Sequence, residues 1–274
     1  MIKRLYISDL DGTLLNSNAE VTESAADTIN SLVEKGMYFS AATARSIYSV
    51  KPILSKLNIN APCLLMNGAS IFDLRQGKYI CSEPIPDEAQ RRIIELFREN
   101  GISCFMYKIC ENVLRTYYEK ITSRVMRSFA EVRKNKYNKP FFHCSDMLEE
   151  VDCRTIYFTV MDDYETLLPV KNAAAAIKGA DMAFYEDTYT QKWYLEIFSH
   201  SASKANGIKR LRRDFGFDEI ICFGDNLNDL PMFRESDVKI AVSNARPEVK
   251  AAADYIIGSN DDDGVAEWLK INFR

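Results

Sequence analysis

Asp9 and Asp11 stand two residues apart in Asp9-Leu10-Asp11-Gly12-Thr13, directly after the short apolar run Leu5 to Ser8. In an extended segment such side chains project to the same side. A carboxylate pair in that arrangement can divide labour: one member holds a hard cation while attacking a phosphorus or carbon centre, and the other moves protons. Gly12 lets the chain turn sharply behind them. The same residues also suit a plain Asx turn at a strand end, so the meaning of the pair depends on what else the chain supplies.

Three further segments bear on it. Cys222-Phe223-Gly224-Asp225-Asn226-Leu227-Asn228-Asp229 offers two acids and two amides beside a glycine, after an apolar strand. That is more hard oxygen than a turn needs, and it suits Mg²⁺. His143 and His200 are the only histidines, which leaves little material for a His-based zinc or iron site. In Ala41-Ala42-Thr43-Ala44-Arg45 the Thr43 hydroxyl can donate to an anion and the amides around Ala44 can cradle one, although Thr43 equally fits a helix cap. Lys204 opens a predicted helix, where a cation works against the helix dipole and points to a negative partner nearby. A solvated surface lysine is the simpler alternative.

The elements that must position these residues follow from hydrophobic periodicity. Leu5 to Ser8 reads as a buried strand, Thr22 to Lys35 as a helix, Met37 to Ala42 as a strand, Ser46 to Lys56 as a helix and Pro62 to Met66 as a strand, with short strands around Ile71 and Tyr79. The rhythm returns late, with helix at Ser203 to Phe215, strand at Glu219 to Phe223, helix at Asn228 to Arg234 and strand at Val238 to Val242. A helix opened by Pro247, a strand at Tyr255 to Ile257 and a final helix from Gly264 to Ile271 complete it. Alternation of this kind predicts an α/β fold with a Rossmann-like parallel-sheet core. All four chemical segments then fall at carboxyl ends of core strands, where open α/β sheets bind ligands.

Between the halves the order changes. After a hinge-like Ser82-Glu83-Pro84-Ile85-Pro86, helices are expected at Asp87 to Asn100, Glu119 to Lys134 and Tyr164 to Lys178. Strands are expected at Ile102 to Tyr107, Val113 to Tyr118, Arg154 to Met161, Met182 to Tyr185 and Trp193 to Phe198. This reads as an inserted α+β domain with helices on one face of a mostly antiparallel sheet. The predicted division is residues 1–83 and 200–274 for the core and 84–199 for the insertion.

A length of 274 residues is ample for one or two domains, and 47% hydrophobic with 27% charged residues is ordinary globular composition. With 35 Lys plus Arg against 39 Asp plus Glu, the net charge of -4 argues against a nucleic-acid partner, while a local basic pocket for a small anion stays open. The stretch Arg124 to Phe142, rich in Arg, Lys and aromatics, is read as a helix with a solvated charged face and an aromatic core side. Seven scattered cysteines without a C-x-x-C pair, and no long apolar run, lead to the expectation of a reduced, cytoplasmic protein with no membrane partner.

Taken together, D-x-D-G-T at Asp9, A-T-x-R at Thr43 and Arg45, N-G-A at Asn67, Lys204 preceded by Glu196-Ile197, and G-D-x-x-N-D at Asp225 resemble the haloacid dehalogenase superfamily, in its Cof-type sugar-phosphatase branch. Ala241-Val242-x-Asn244-Ala245, Ala253-Asp254 and Asn260 with Asp263-Gly264-Val265-Ala266 extend the resemblance over nearly the whole core. Ala205 stands where the family usually has Gly, and Ser8 where it often has Thr; neither removes a functional group. The resemblance implies a Mg²⁺-dependent phosphatase of small phosphorylated metabolites. Asp9 would form an aspartyl-phosphate and Asp11 would serve as acid and then base. Asp9, the Asp11 backbone carbonyl and Asp225 would hold Mg²⁺, and the Leu10 amide, Thr43, the Ala44 amide, Lys204 and Asn228 would hold phosphoryl oxygens. Asp229 would orient Lys204 or metal-bound water, and the insertion would be a cap that selects the leaving group. The alternatives are a phosphomutase of the same superfamily, a receiver-like phosphoacceptor and a binding module that retains only the fold; the acid at Asp11 and the insertion speak against the receiver.

Overall fold

The computed structural model describes residues 2–187 and 191–273. Its backbone runs β1 (Arg4–Ser8), α1 (Glu23–Glu34), β2 (Tyr38–Ala41), α2 (Ile47–Ile53), β3 (Cys63–Leu65), β4 (Ser70–Asp73), β5 (Lys78–Ser82), α3 (Asp87–Glu99), β6 (Phe105–Cys110) and β7 (Val113–Tyr118). It continues through α4 (Arg124–Tyr137), β8 (Phe141–His143), β9 (Thr155–Asp162), α5 (Tyr164–Ala174), β10 (Ala180–Glu186), β11 (Trp193–Ser199), α6 (Lys204–Phe215) and β12 (Glu219–Gly224). The last elements are α7 (Leu230–Glu235), β13 (Val238–Val242), α8 (Pro247–Ala252), β14 (Tyr255–Ile257) and α9 (Gly264–Asn272). The chain divides into two compact units, Met1–Cys81 with Ser203–Arg274, and Ser82–Ala202.

The discontinuous unit carries a parallel sheet in the order β14-β13-β12-β1-β2. Its interior strand β1, between β12 and β2, is buried along nearly its whole length, with Leu5 and Ile7 fully enclosed. Each such side chain contributes about 1.5–3 kcal/mol of burial, which is why this run is apolar on both faces. Ser8 lies level with Phe223 of β12 and with Ala41 of β2, so the carboxyl ends of three strands open side by side. Thr22 caps α1 by accepting from the Ala25 amide, and Ala25, Ala26, Ile29 and Leu32 form its buried stripe. A small sheet, β3-β4-β5, follows, in which β3 and β4 are antiparallel.

The continuous unit holds a six-stranded sheet in the order β10-β11-β9-β6-β7-β8, antiparallel except for the β7–β8 pair. Met106, Phe158, Val160, Leu195 and Ile197 on one face pack with Ile93 and Phe97 of α3 and Leu167 and Val170 of α5. Three expectations change here. Helix α4 begins at Arg124 because Ser123 accepts from the Met126 amide, while Glu119 is occupied by Arg98 and the Met147 amide. That helix sends Phe129 over Phe105, so the sheet carries helices on both faces rather than one. Phe141–His143 is a strand, and Lys139 before it is 4% exposed rather than part of a solvated face.

Candidate active site

Asp9 leaves β1 and is almost buried, its amide donating to Phe223 O across to β12 at 3.0 Å. Lys204, the first residue of α6, is buried as well: its Nζ donates to Asp9 Oδ1 at 2.5 Å and to Asp229 Oδ1 at 2.6 Å. The alternative of a solvated lysine is thereby set aside. Ser203 caps α6 by accepting from the Asn206 amide, which fixes the helix start and hence the lysine stem.

Asp229 is fully buried and takes three roles with two oxygens. Oδ1 accepts from Lys204, and Oδ2 accepts from the amides of Asp225 and Asn226, both at 3.0 Å. It is thus the brace that folds the loop after β12 back toward the lysine. Asp225 Oδ1 accepts from Thr13 Oγ1 at 2.8 Å, a contact between segments 212 residues apart that sequence reading missed. Two glycines make room for these acids. A Cβ on Gly12 would stand 2.6 Å from Asp225 Oδ2, and one on Gly224 would stand 2.7 Å from Asp229 Cβ.

Carboxylate oxygens of Asp9, Asp225 and Asp229 can lie within 4.8 Å of one another. Burial, with the like charges of Asp229 and Asp225 added, pushes the Asp9 carboxyl well above its ordinary range against the pull of Lys204. Burial and Asp229 likewise push Asp225 up to about 7. For Lys204 burial favours the neutral amine, but Asp229 and Asp9 outweigh it and hold the ammonium form. One ammonium among three acids leaves an excess of negative charge, which a proton or a further cation would relieve. The donors are all hard oxygen, the set that Mg²⁺ prefers, so the residues fit that ion.

The remaining predicted residues divide. Asp11 does not turn its carboxylate into this cluster: Arg45 grips it in a two-pronged ion pair, Nε to Oδ2 at 2.7 Å and the terminal nitrogen to Oδ1 at 2.5 Å. The only hint of this partner in the sequence was the position of Arg45 beside Thr43. Thr43 is buried and accepts from the Arg45 amide at 3.1 Å, whereas Ser46 is the residue that precedes α2. Among the described residues no protein acceptor takes the Leu10 or Ala44 amide, and the Leu10 carbonyl accepts from Thr13, Leu14 and Leu15. Asn228 is exposed and reaches Asn67 Oδ1 at 3.5 Å. Gly68, at φ +90°, lets the turn carrying Asn67 approach the Ser203 carbonyl, where a Cβ would be 2.3 Å away.

A parallel α/β sheet whose strand ends gather buried aspartates around one lysine defines a class of aspartate-based hydrolases. The chain belongs to the haloacid dehalogenase-like hydrolase family, whose sequence model matches residues 6–269. It is similar to a haloacid dehalogenase-like hydrolase of Bacteroides thetaiotaomicron, at a TM-score of 0.82 and 26% identity over 99% of this chain and 100% of that one. The pyridoxal phosphate phosphatase YbhA of Escherichia coli is 24% identical over 98% of each chain. The subclass IIB sugar phosphatase BT4131 shares the fold, at a TM-score of 0.71 and 22% identity over 98% of each chain. Among the described residues no helix is long and apolar enough to cross a membrane.

Proposed function

We propose that this hydrolase is a Mg²⁺-dependent phosphatase of small phosphorylated metabolites, with sugar phosphates and pyridoxal phosphate the first classes to test. The reading rests on one observation above the others: Lys204 is buried between Asp9 and Asp229, beside Asp225, at the ends of β1 and β12. An anionic phosphoryl group needs such a cation at hand when a carboxylate attacks it.

Asp9 attacks phosphorus through a carboxylate oxygen; the new O–P bond forms as the bond to the leaving alcohol breaks. Asp11 delivers a proton to that alcohol and then, as a carboxylate, takes one from the water that hydrolyses the aspartyl-phosphate. Asp11 must let go of Arg45 to do either. Lys204, the Leu10 and Ala44 amides, Thr43 and Asn228 hold the transferred oxygens. Asp9, the Asp11 carbonyl and Asp225 would hold Mg²⁺, which screens the repulsion between carboxylate and phosphate. Asp229 keeps Lys204 charged and in place. The segments that carry Asp9, Thr43, Lys204 and Asp225 belong to the discontinuous unit, and the continuous unit is assigned the choice of leaving group.

The test is phosphate release from a panel of phosphorylated metabolites and p-nitrophenyl phosphate, by wild type and Asp9→Asn. Turnover should vanish in the variant while its circular dichroism is unchanged. Hydrolysis by Asp9→Asn at near wild-type rate would remove the covalent role.

A further inference from the structure

The continuous unit contains two neighbouring cations that nothing in the phosphatase reading uses. Lys139 is 4% exposed, and among the described residues its Nζ has neither a hydrogen-bond acceptor nor an ion-pair partner. Its surroundings are aromatic: Nζ lies 4.2 Å from the Tyr107 ring centroid and 5.8 Å from those of Phe129 and Phe141. Arg133 sits over the same Phe129 ring at 4.5 Å, and its carbonyl accepts from the Lys139 amide. Its guanidinium has no carboxylate partner among the described residues either.

A third polar group on this side of the sheet is orphaned. Thr116 is fully buried and its Oγ1 has no hydrogen-bond partner. Thr116 pairs with Tyr107 on one side and Phe141 on the other, so its side chain shares the face that Lys139 covers. Glu196, on β11 and three strands from Thr116, is held by the Tyr157 hydroxyl at 2.8 Å.

Leaving a buried donor unsatisfied is costly, and a buried cation without a counter-ion costs more. Lys108 in the same unit shows the usual solution, with Glu150 and Asp152 both within ion-pair distance. Burial and the charge of Arg133 press Lys139 toward the neutral amine, and only Glu196 opposes them. Lys139 and Arg133 can only donate, the Thr116 hydroxyl can donate as well, and both charges are positive. The missing partner is therefore an acceptor with negative charge.

We propose that Lys139, Arg133 and Thr116 form a receptor for an oxyanion group of a small molecule, a carboxylate or a tetrahedral phosphate or sulfate, lying on the aromatic floor of Tyr107, Phe129 and Phe141. This site is separate in its residues from Asp9 and Lys204 and does not rest on the phosphatase reading.

The test uses the full chain labelled with ¹³C at the lysine ε-carbon, titrated with sodium sulfate, sodium phosphate or sodium acetate at constant ionic strength set by chloride. Loss of one resonance in Lys139→Met assigns Lys139. The expected result is a saturable shift of that resonance by at least one of the three anions, with the apparent affinity reduced about tenfold or more in Arg133→Met, as charge-assisted hydrogen bonds of this kind imply. Thr116→Val, which keeps the shape and removes the hydroxyl, should weaken it too. Response to acetate alone identifies a carboxylate ligand; response to sulfate and phosphate identifies a tetrahedral one. A Lys139 resonance that ignores all three, or one whose response is the same in Arg133→Met, overturns the proposal. Because the readout is local to Lys139, neither result bears on the role of Asp9.

Discussion

Replacing Lys204 with Met removes the single ammonium that serves Asp9 and Asp229 and leaves three acids facing one another. Breaking a buried ion pair by deleting one partner costs about 3–5 kcal/mol, because the other charge stays buried without compensation. For a unit of roughly 150–250 residues each kcal/mol moves the melting temperature about 2–4 °C, so the loss should be about 6–20 °C. The loss should depend on pH. A carboxyl whose folded-state pKa exceeds its unfolded value, about 3.9, gives stability that is complete below that value and is lost as pH rises through the folded one. For Asp225 the folded value is already pushed to about 7 with the lysine in place, by burial and then Asp229. In Lys204→Met the deficit should thus be small near pH 5, where the acids can take up protons, and large near pH 8. Added Mg²⁺ should recover part of it. Scanning calorimetry in EDTA at both pH values reads this directly. An unchanged melting temperature near pH 8, or a deficit of equal size at both, would refute the charge-balance account of the cluster.

Asp11→Asn should lose about 10²–10⁴-fold on alkyl phosphates, the usual worth of proton transfer, and clearly less on p-nitrophenyl phosphate, whose leaving group needs no proton; equal losses on both would contradict the acid role. EDTA should silence phosphate release and Mg²⁺ restore it, while Asp225→Ala should raise the Mg²⁺ needed; full activity in excess EDTA would exclude the metal. Gly12→Ala should likewise raise the Mg²⁺ needed, since φ is +78° and the new methyl would meet Asp225 Oδ2. A left-handed conformation costs a non-glycine residue about 1–2 kcal/mol, so a variant with wild-type stability and Mg²⁺ requirement would show that the loop is freer than described.

The parallel core was legible because its strands are short, mostly apolar and separated by capped helices, as Thr22 and Ser203 illustrate. Asp9, Asp225 and Lys204 stood out as candidates in the sequence because each follows or opens such an element. What sequence could not supply was pairing across distance. Arg45 on Asp11 and Thr13 on Asp225 join segments that only the fold brings together. The boundaries of α4 were misread because periodicity continues past Ser123 in both directions, whereas a hydrogen bond from that side chain sets the start. Lys139 was misread for a related reason: a basic residue after a basic helix looks solvated unless the following strand, Phe141–His143, is recognised as drawing the chain back across the sheet.

The order of strands has a consequence for how the molecule is made. β1 precedes its partner β12 by more than two hundred residues, since Arg4 pairs with Glu219. The continuous unit, by contrast, closes its whole sheet within Ser82–Ala202. During translation the early βα segment must wait on the ribosome with β1 missing one neighbour, while the middle of the chain can complete its own hydrogen bonding. Contacts of such long sequence separation form slowly, and an unpaired apolar strand is exposed to misassembly meanwhile. Asp9 and Asp225 therefore meet only after the whole continuous unit and α6 between them have been synthesised, and a shorter nascent chain cannot present these acids together to a metabolite.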